Sequence, residues 1–456
     1  MPPIATISIA KSLLGLSRAL GRGGGSALPG LVAERLDPGI GHRLAAKLPR
    51  GSIIVTGTNG KTTTSKMLSQ ILVDAGERLV SNRAGSNLSR GVVSALVEHA
   101  NSSGSFTADM GLFEVDEAAM PAVCRMVQPR AIIVLNLFRD QLDRYGELDA
   151  TAQLIGKGIS LTNARVYLNA DDPLVASLAR YVQPDNVVFF GINKVKAQKL
   201  AHDVTADSSN CPVCGRALRY DQAYFGHIGR YHCLNTDFSR PQPEFAATDI
   251  ALAEDHVRFR LEGGNEQDLQ YELRLPGLYN IYNAVAAAAL TIDQGIAPAQ
   301  VARSLEQVEA AFGRVEKLEV KGRTLYILLV KNPTGFNQII QTFLLQKKQQ
   351  KVLIAINDNF ADGRDVSWLW DVAFEELQPQ RHHIAVSGIR ATDMALRLKY
   401  AGMPTEFIQS DLKRALNQFI AQIPAGGTGY VVPTYTAMLA LRKQLGRMTR
   451  LKGVWE

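Results

Sequence analysis

The 456-residue chain has no apolar run of membrane-spanning length. No segment approaches the roughly 18 charge-free apolar residues of a transmembrane helix, so none is predicted. A secretory signal is not expected either: Lys11 and Arg18 interrupt the first apolar stretch, and no clean cleavage site follows it. Cysteine is scarce. There are four, and three of them fall between 211 and 233, which excludes the disulfide framework of a small secreted protein. Also lacking is a basic run interleaved with aromatics, so the net charge of +7 does not point to nucleic acid. That positive balance suits phosphate-rich ligands or an anionic membrane surface. At this length, with 46% apolar residues, two or three domains with sizeable cores are expected.

What is present begins with IIVTGTNGKTTTSKM, residues 53–67. A β-branched run of the kind buried in a parallel sheet enters a turn flanked by Gly57 and Gly60. Glycines there let successive N–H groups face an anion, and the following helix adds its positive end. The candidate phosphate-binding residues are Gly57, Thr58, Asn59, Gly60, Lys61, Thr62 and Thr63. Lys61 would reach the outer phosphates, and Thr62 is placed for Mg²⁺. Val55 stands where the general phosphate-loop pattern has its first glycine.

Along the chain, residues 1–48 read as a helical lead-in. Within it, residues 4–20 form an amphipathic helix that packs on the body of the protein or meets a membrane. From 49 to 315 strands and helices alternate as in a doubly wound sheet, with strands expected at 53–56, 110–115, 131–135, 165–168 and 187–190. A polar Cys-bearing insertion interrupts this at 205–242. An antiparallel hairpin is expected over 256–274, around Gly263-Gly264, and an alanine-rich helix over 281–294. Residues 316–456 form a second α/β unit, with strands at 324–330, 352–356, 382–387 and 428–432.

Other candidate sites lie at strand ends, where open α/β sheets bind ligands. GLFEVDEAAM puts Glu114, Asp116 and Glu117 there, and Glu114 and Asp116 alternate to one side of the strand. A carboxylate so placed can hold Mg²⁺ opposite a phosphate loop. NLFRDQLDRYGELD carries Asn136, Arg139, Asp140 and Asp143, and NADDP follows another strand. Asn280 and Asn283 share a helix face. Arg314 falls in an interdomain linker. Cys211-Pro-Val-Cys214-Gly is half of a zinc knuckle. Cys233 follows, but Thr236 occupies the expected fourth-ligand position, leaving His232, His227 or Asp237 as substitutes. Two outcomes stay open: a Zn²⁺ site on Cys211, Cys214 and Cys233 with an unassigned fourth ligand, or a ribbon held by Tyr220, Tyr224, Phe225 and Tyr231.

GTNGKTTT, FEVDE, NADDP, LPGLYNIYNA, FGRVEK and KNPTGFNQ together resemble the Mur ligases in order and rough spacing. FRDQLDRYGELD, the CPVCG insertion and INDNFADGRDVSWLWD narrow the resemblance to the MurT family, the ligase-like subunits of lipid II isoglutaminyl synthases. The resemblance implies a P-loop parallel-sheet central domain with a ribbon insertion and a Rossmann-like C-terminal α/β domain. It implies ATP-dependent amidation of the D-glutamyl α-carboxyl of the peptidoglycan stem on lipid II, through an acyl phosphate. It carries phosphate and Mg²⁺ contacts onto Lys61 and Thr62, metal binding onto Glu114, and nucleotide contacts onto Asn280, Arg314, Lys331 and Asn332. Asp365 matches the aspartate that completes the Cys-His pair of a partner glutaminase, with Asp358, Asp362 and Asp371 nearby. Leu328 and Leu329 stand where classical Mur ligases carry an acidic residue before this segment, which counts against amino-acid-ligase chemistry and not against amidation.

The chain shows no glutaminase elbow of its own, since Cys124 falls in a predicted helix. Ammonia must then come from another chain or from solution, and the resemblance implies a heterodimer with a GatD-like glutamine amidotransferase subunit, located in the cytoplasm and at the inner membrane face through its substrate. The rival readings are an amino-acid-adding ligase of the Mur or folylpolyglutamate type, active alone, and a catalytically weak nucleotide-binding scaffold for a glutaminase.

Overall fold

In the computed structural model the described residues are 5–12, 28–82, 86–101, 103–139, 148–193, 210–253, 255–263, 269–309, 315–449 and 451. The chain divides into two compact units, residues 1–138 with 147–308, and residues 139–146 with 309–456.

Unit 1 is built on a nine-stranded sheet. Its strands are β1 (Ser52–Thr56), β2 (Leu79–Ser81), β3 (Met110–Glu114), β4 (Ala131–Val134), β5 (Arg165–Asn169) and β6 (Val187–Ile192), followed after the insertion by three more. The insertion supplies β7 (Arg219–Phe225) and β8 (Ile228–His232), which pair with each other as a separate antiparallel ribbon. Then come β9 (Phe245–Leu252), β10 (Val257–Glu262) and β11 (Gln270–Leu273). The sheet order is β11-β10-β9-β6-β5-β4-β1-β3-β2. All pairings are parallel except β9–β10 and β10–β11. β1, β3 and β4 are buried at every position, as strands covered on both faces must be.

This order fixes the site. The chain leaves β1, returns as β3 on one side of it, and then places β4 on the other. The carboxyl ends of β1, β3 and β4 therefore meet at a topological switch point, where such sheets bind ligands. The helix over residues 5–12 buries Ile7 and Ala10 in the same core as Ala33, Ile40 and Leu44. Of the two readings for residues 4–20, packing on the body holds for the described part; residues 13–20 lie outside the described residues.

Unit 2 has a six-stranded sheet of β12 (Val315–Val320), β13 (Arg323–Leu328), β14 (Lys351–Ala355), β15 (His383–Ser387), β16 (Thr405–Gln409) and β17 (Thr428–Pro433). Its order is β12-β13-β17-β14-β15-β16. Only β12–β13 is antiparallel. The expected strands are all present within a few residues, and β2, β7, β8, β9, β12 and β16 are additional to them. β2 is three residues long. β16, TEFIQ, lies on the sheet edge and is nowhere fully buried, so it lacks the apolar run that marks its neighbours.

Candidate functional site

The phosphate loop joins β1 to the helix Lys61–Asp74. Gly57 and Gly60 have φ of +124° and +91°, a region that side chains disfavour. A Cβ on Gly60 would lie 2.2 Å from the Asn283 Oδ1, so this glycine is also required by close approach. Lys61 Nζ donates to the Gly57 and Thr58 carbonyls and pairs with Glu117 Oε1 at 3.3 Å. Thr62 Oγ1 donates to Glu114 Oε2 at 2.9 Å. Two hard oxygen donors thus stand together beside the loop, a donor set suited to Mg²⁺.

Two strand ends supply the surroundings. At β3, Asn82 brackets Glu114: its Oδ1 accepts from the Glu114 N–H at 2.9 Å, and its Nδ2 donates to the Glu114 carbonyl at 2.8 Å. Asn82 was not singled out in the sequence, because nothing near it in the chain marks it. β3 ends at Glu114, so the alternation that would put Asp116 on the same side does not extend to it. Asp116 caps the following turn instead, accepting from the Ala118 N–H at 3.1 Å. At β4, Asn136 holds the loop residue Asn59 on both sides, accepting from its N–H at 2.9 Å and donating to its carbonyl at 3.0 Å.

The helix Leu278–Asp293 presents Asn280 and Asn283, both buried. Asn280 Nδ2 donates to the Pro276 carbonyl at 2.7 Å, and Asn283 Nδ2 donates to Asn280 Oδ1 at 3.2 Å. Asn283 sits against Gly60, which places the pair at the start of the phosphate-loop helix. Of the candidate residues, unit 1 brings Gly57, Thr58, Asn59, Gly60, Lys61, Thr62, Thr63, Glu114 and Asn280 to one region. Arg314, Asp140 and Asp143 lie outside the described residues.

The NADDP carboxylates turn inward. Asp172 caps the helix Pro173–Ser177, accepting from the Leu174 and Val175 N–H groups, and accepts from the Leu137 N–H at 2.8 Å. Asp171 is fully buried against Arg240, Tyr282 and the Ile192 N–H. Burial pushes its carboxyl above the usual range, and the Arg240 guanidinium pulls it back. These residues anchor the ribbon, whose Tyr231 hydroxyl donates to the Ala170 carbonyl at 3.0 Å.

In the ribbon the ligand atoms of Cys211, Cys214 and Cys233 lie within 4.8 Å of one another. Cys214 Sγ is 3.6 Å from Cys233 Sγ, and Thr236 Oγ1 is 3.7 Å from Cys211 Sγ. The expected substitutes for a fourth ligand are elsewhere. His227 is buried 3.4 Å from Asp172 Oδ2, and His232 faces Asp221 at 3.5 Å. Among the described residues no His or carboxylate joins the three thiols.

In unit 2, Asn332 Oδ1 caps the helix Pro333–Ile339 by accepting from the Gly335 N–H at 2.8 Å. Lys331 Nζ lies 5.7 Å from the centre of the Tyr435 ring. Asp365 is exposed and accepts from the Ser367 N–H at 2.8 Å. Its neighbours differ. Asp358 is buried in an ion pair with Arg390 at 2.7 Å, and Asp362 is buried with Thr436. A cleft brings Lys331, Asn332, Asp365 and Asp371 together with Arg139 and Trp368.

Residues 55–236 match the Mur ligase middle domain, and residues 329–438 match the MurT ligase C-terminal domain. A lipid II isoglutaminyl synthase (glutamine-hydrolyzing) subunit MurT from Staphylococcus aureus is 32% identical over 97% of this chain and 97% of its own. The chain belongs to the MurT family. A MurT subunit from Streptococcus pneumoniae is 33% identical, covering 94% of both chains. Among solved structures, a pseudomurein peptide ligase type C from Methanothermus fervidus matches with a TM-score of 0.71 at 20% identity, covering 89% of this chain and 80% of that one. The Mur-ligase-like α/β fold inferred from the motifs is thus the fold of the molecule, and MurT membership makes the chain an ATP-dependent ligase by family.

Proposed function

We propose that this chain is the ligase subunit of a glutamine-dependent amidating enzyme. Its substrate is the D-glutamyl α-carboxyl of the peptidoglycan stem on lipid II, and ammonia comes from a partner glutaminase of the GatD type. The observation that carries this reading is the end-to-end likeness to MurT subunits, 32% identity over 97% of the chain. The family's use of ATP and Mg²⁺ accords with the oxygen pair of Thr62 and Glu114, 2.9 Å apart beside the phosphate loop.

In this reading the loop amides and Lys61 bind the β- and γ-phosphates and neutralise charge as the γ-phosphoryl moves. Thr62 and Glu114 would hold Mg²⁺, which screens the phosphate oxygens. The carboxylate oxygen attacks the γ-phosphorus and ADP leaves, giving an acyl phosphate. Ammonia then attacks the acyl carbon, phosphate departs with its electron pair, and a proton is lost to give the amide. Positioning and charge neutralisation do most of the work. Asn280, Arg314, Lys331 and Asn332 are assigned to nucleotide contacts, and Asp365 to the glutaminase. Cys211, Cys214 and Cys233 supply soft donors that suit Zn²⁺ as a structural ion of the ribbon, and metal analysis of the purified chain tests this.

The deciding experiment is ATP-dependent amidation of a D-glutamyl muropeptide lipid by the purified chain, with ammonium salt as nitrogen source. It is run with and without the cognate glutaminase, and with Lys61→Ala as control. Product with ammonium alone, and with glutamine only when the partner is present, is expected. Addition of an amino acid without amidation would overturn the reading.

A further inference from the structure

The ribbon insertion ends in a tight turn between β7 and β8, and the residue at that turn is not on the surface. His227 is fully buried. Its ring packs on Phe138, centroid to centroid 4.6 Å, and Phe225 from the same turn stacks on Phe138 at 6.0 Å. Phe225 also meets the edge of Tyr282, at 5.7 Å, on the helix that carries Asn280 and Asn283.

Phe138 is the last link to the phosphate loop. Its N–H donates to Thr58 Oγ1 at 3.0 Å, and its carbonyl accepts from the same hydroxyl at 3.2 Å. Two residues earlier, the Asn136 carbonyl accepts from the Thr58 N–H at 2.8 Å. Residues 136–138 thus form a rail along the loop, gripping Thr58 and Asn59 through main chain and side chain. The middle of that rail is tied down as well. The Leu137 N–H donates to Asp172 Oδ2, the same oxygen that His227 Nε2 approaches at 3.4 Å. The ribbon tip therefore touches the rail twice, once through the Phe138 ring and once through Asp172.

We propose that the ribbon tip, through His227, positions the phosphate loop by holding the rail 136–138 against Thr58. His227 is a positioning residue: it contacts neither Lys61 nor Thr62 in any bond described above, and it acts through Phe138 and Asp172. The physical reason is that a glycine-flanked loop has little stiffness of its own. Its amides must be held in place to face phosphate before ATP arrives, or binding must supply the ordering cost. An insertion that grips the loop from behind removes part of that cost. It also gives the insertion a task beyond its own Cys cluster. The proposal rests on the nucleotide-binding reading of the loop.

The test is a double-mutant cycle on ATP affinity of the full chain, by calorimetry, with Lys61→Ala as the site control. The variants are His227→Ala, Thr58→Val and the pair, each checked for folding by circular dichroism and thermal melting. His227→Ala is expected to weaken ATP binding about tenfold, the scale of one lost buried interaction. Thr58→Val is expected to act similarly. The pair should be no worse than the weaker single variant, because both cut the same linkage. If His227→Ala does not fold, His227→Leu, which keeps bulk and removes the ring and its nitrogens, replaces it in the cycle. A folded His227 variant that binds ATP like the unmodified chain, or losses that multiply in the pair, overturns the proposal and leaves the nucleotide reading intact. An unmodified chain that binds ATP no better than Lys61→Ala overturns the nucleotide reading itself, and the proposal with it.

Discussion

At the scale of single residues, the contrast between Glu114 and its neighbour Asp116 is instructive. Both sit in one acidic cluster, yet Glu114 faces Thr62 and Asp116 is spent on capping a turn. Glu114→Gln keeps the shape and removes the charge that would hold Mg²⁺. It is expected to lower ATP-dependent amidation by about two orders of magnitude or more, as loss of a charge-stabilising group at a phosphoryl-transfer site does. The rate measured across a Mg²⁺ titration checks this; an unchanged rate would remove Glu114 from the site. The cysteines also separate by environment. Burial pushes the Cys124 thiol up to about 12, so at pH 8 it stays protonated. The hydrogen bond with Thr236 brings Cys233 down to about 6, and Cys214 is exposed. Alkylation of the native, metal-free chain at pH 8, mapped by mass spectrometry, should mark Cys214 and Cys233 and spare Cys124 until the chain is unfolded. Thr236 was legible as a departure from a four-ligand pattern. That its hydroxyl lies beside Cys211, and that His227 turns away to Asp172, was not, because loop geometry decides it.

At the scale of elements, the helix Leu278–Asp293 shows how packing and site depend on each other. Its run from Ala284 to Ala289 is wholly buried, with Val285 the only larger side chain. Small residues let this helix lie close to the phosphate-loop helix Lys61–Asp74 and bring Asn283 to Gly60. Ala286→Leu overfills that core and is expected to cost about 1–3 kcal/mol of stability. Urea denaturation should show a lower midpoint with an unchanged slope, and a midpoint equal to the parent would contradict the packing argument. Apolar runs such as SIIVT and AIIV were readable as buried parallel strands from composition alone. β9, FAATDIAL, was not: its alanines carry little strand preference, and it joins the sheet because β6 and β10 offer it edges on both sides.

At the scale of the whole molecule, the two units divide the chemistry proposed here, with the phosphate loop in one and Asp365 in the other. If Asp365 serves a partner glutaminase, Asp365→Asn should abolish glutamine-dependent amidation while ammonium-dependent amidation persists near the parent rate. Equal loss of both would place Asp365 elsewhere in the mechanism. Geometry separates Asp365 from Asp358 and Asp362, which are buried in other bonds, but not from Asp371, which is exposed in the same cleft. What the sequence determined by itself is local: the turn at Gly57 to Thr62, the apolar strands, the Cys spacing, and through their joint order the family. Each depends on residues near one another in the chain, where steric limits and burial patterns act directly. What only the tertiary structure decided is which distant residues meet. Asn82 brackets Glu114, Asn283 touches Gly60, and His227 reaches Phe138, pairs separated in the chain by tens of residues to more than two hundred. Those meetings follow from the β2-β3-β1-β4 order of the sheet and from close packing of helix and ribbon on it, which no local pattern encodes.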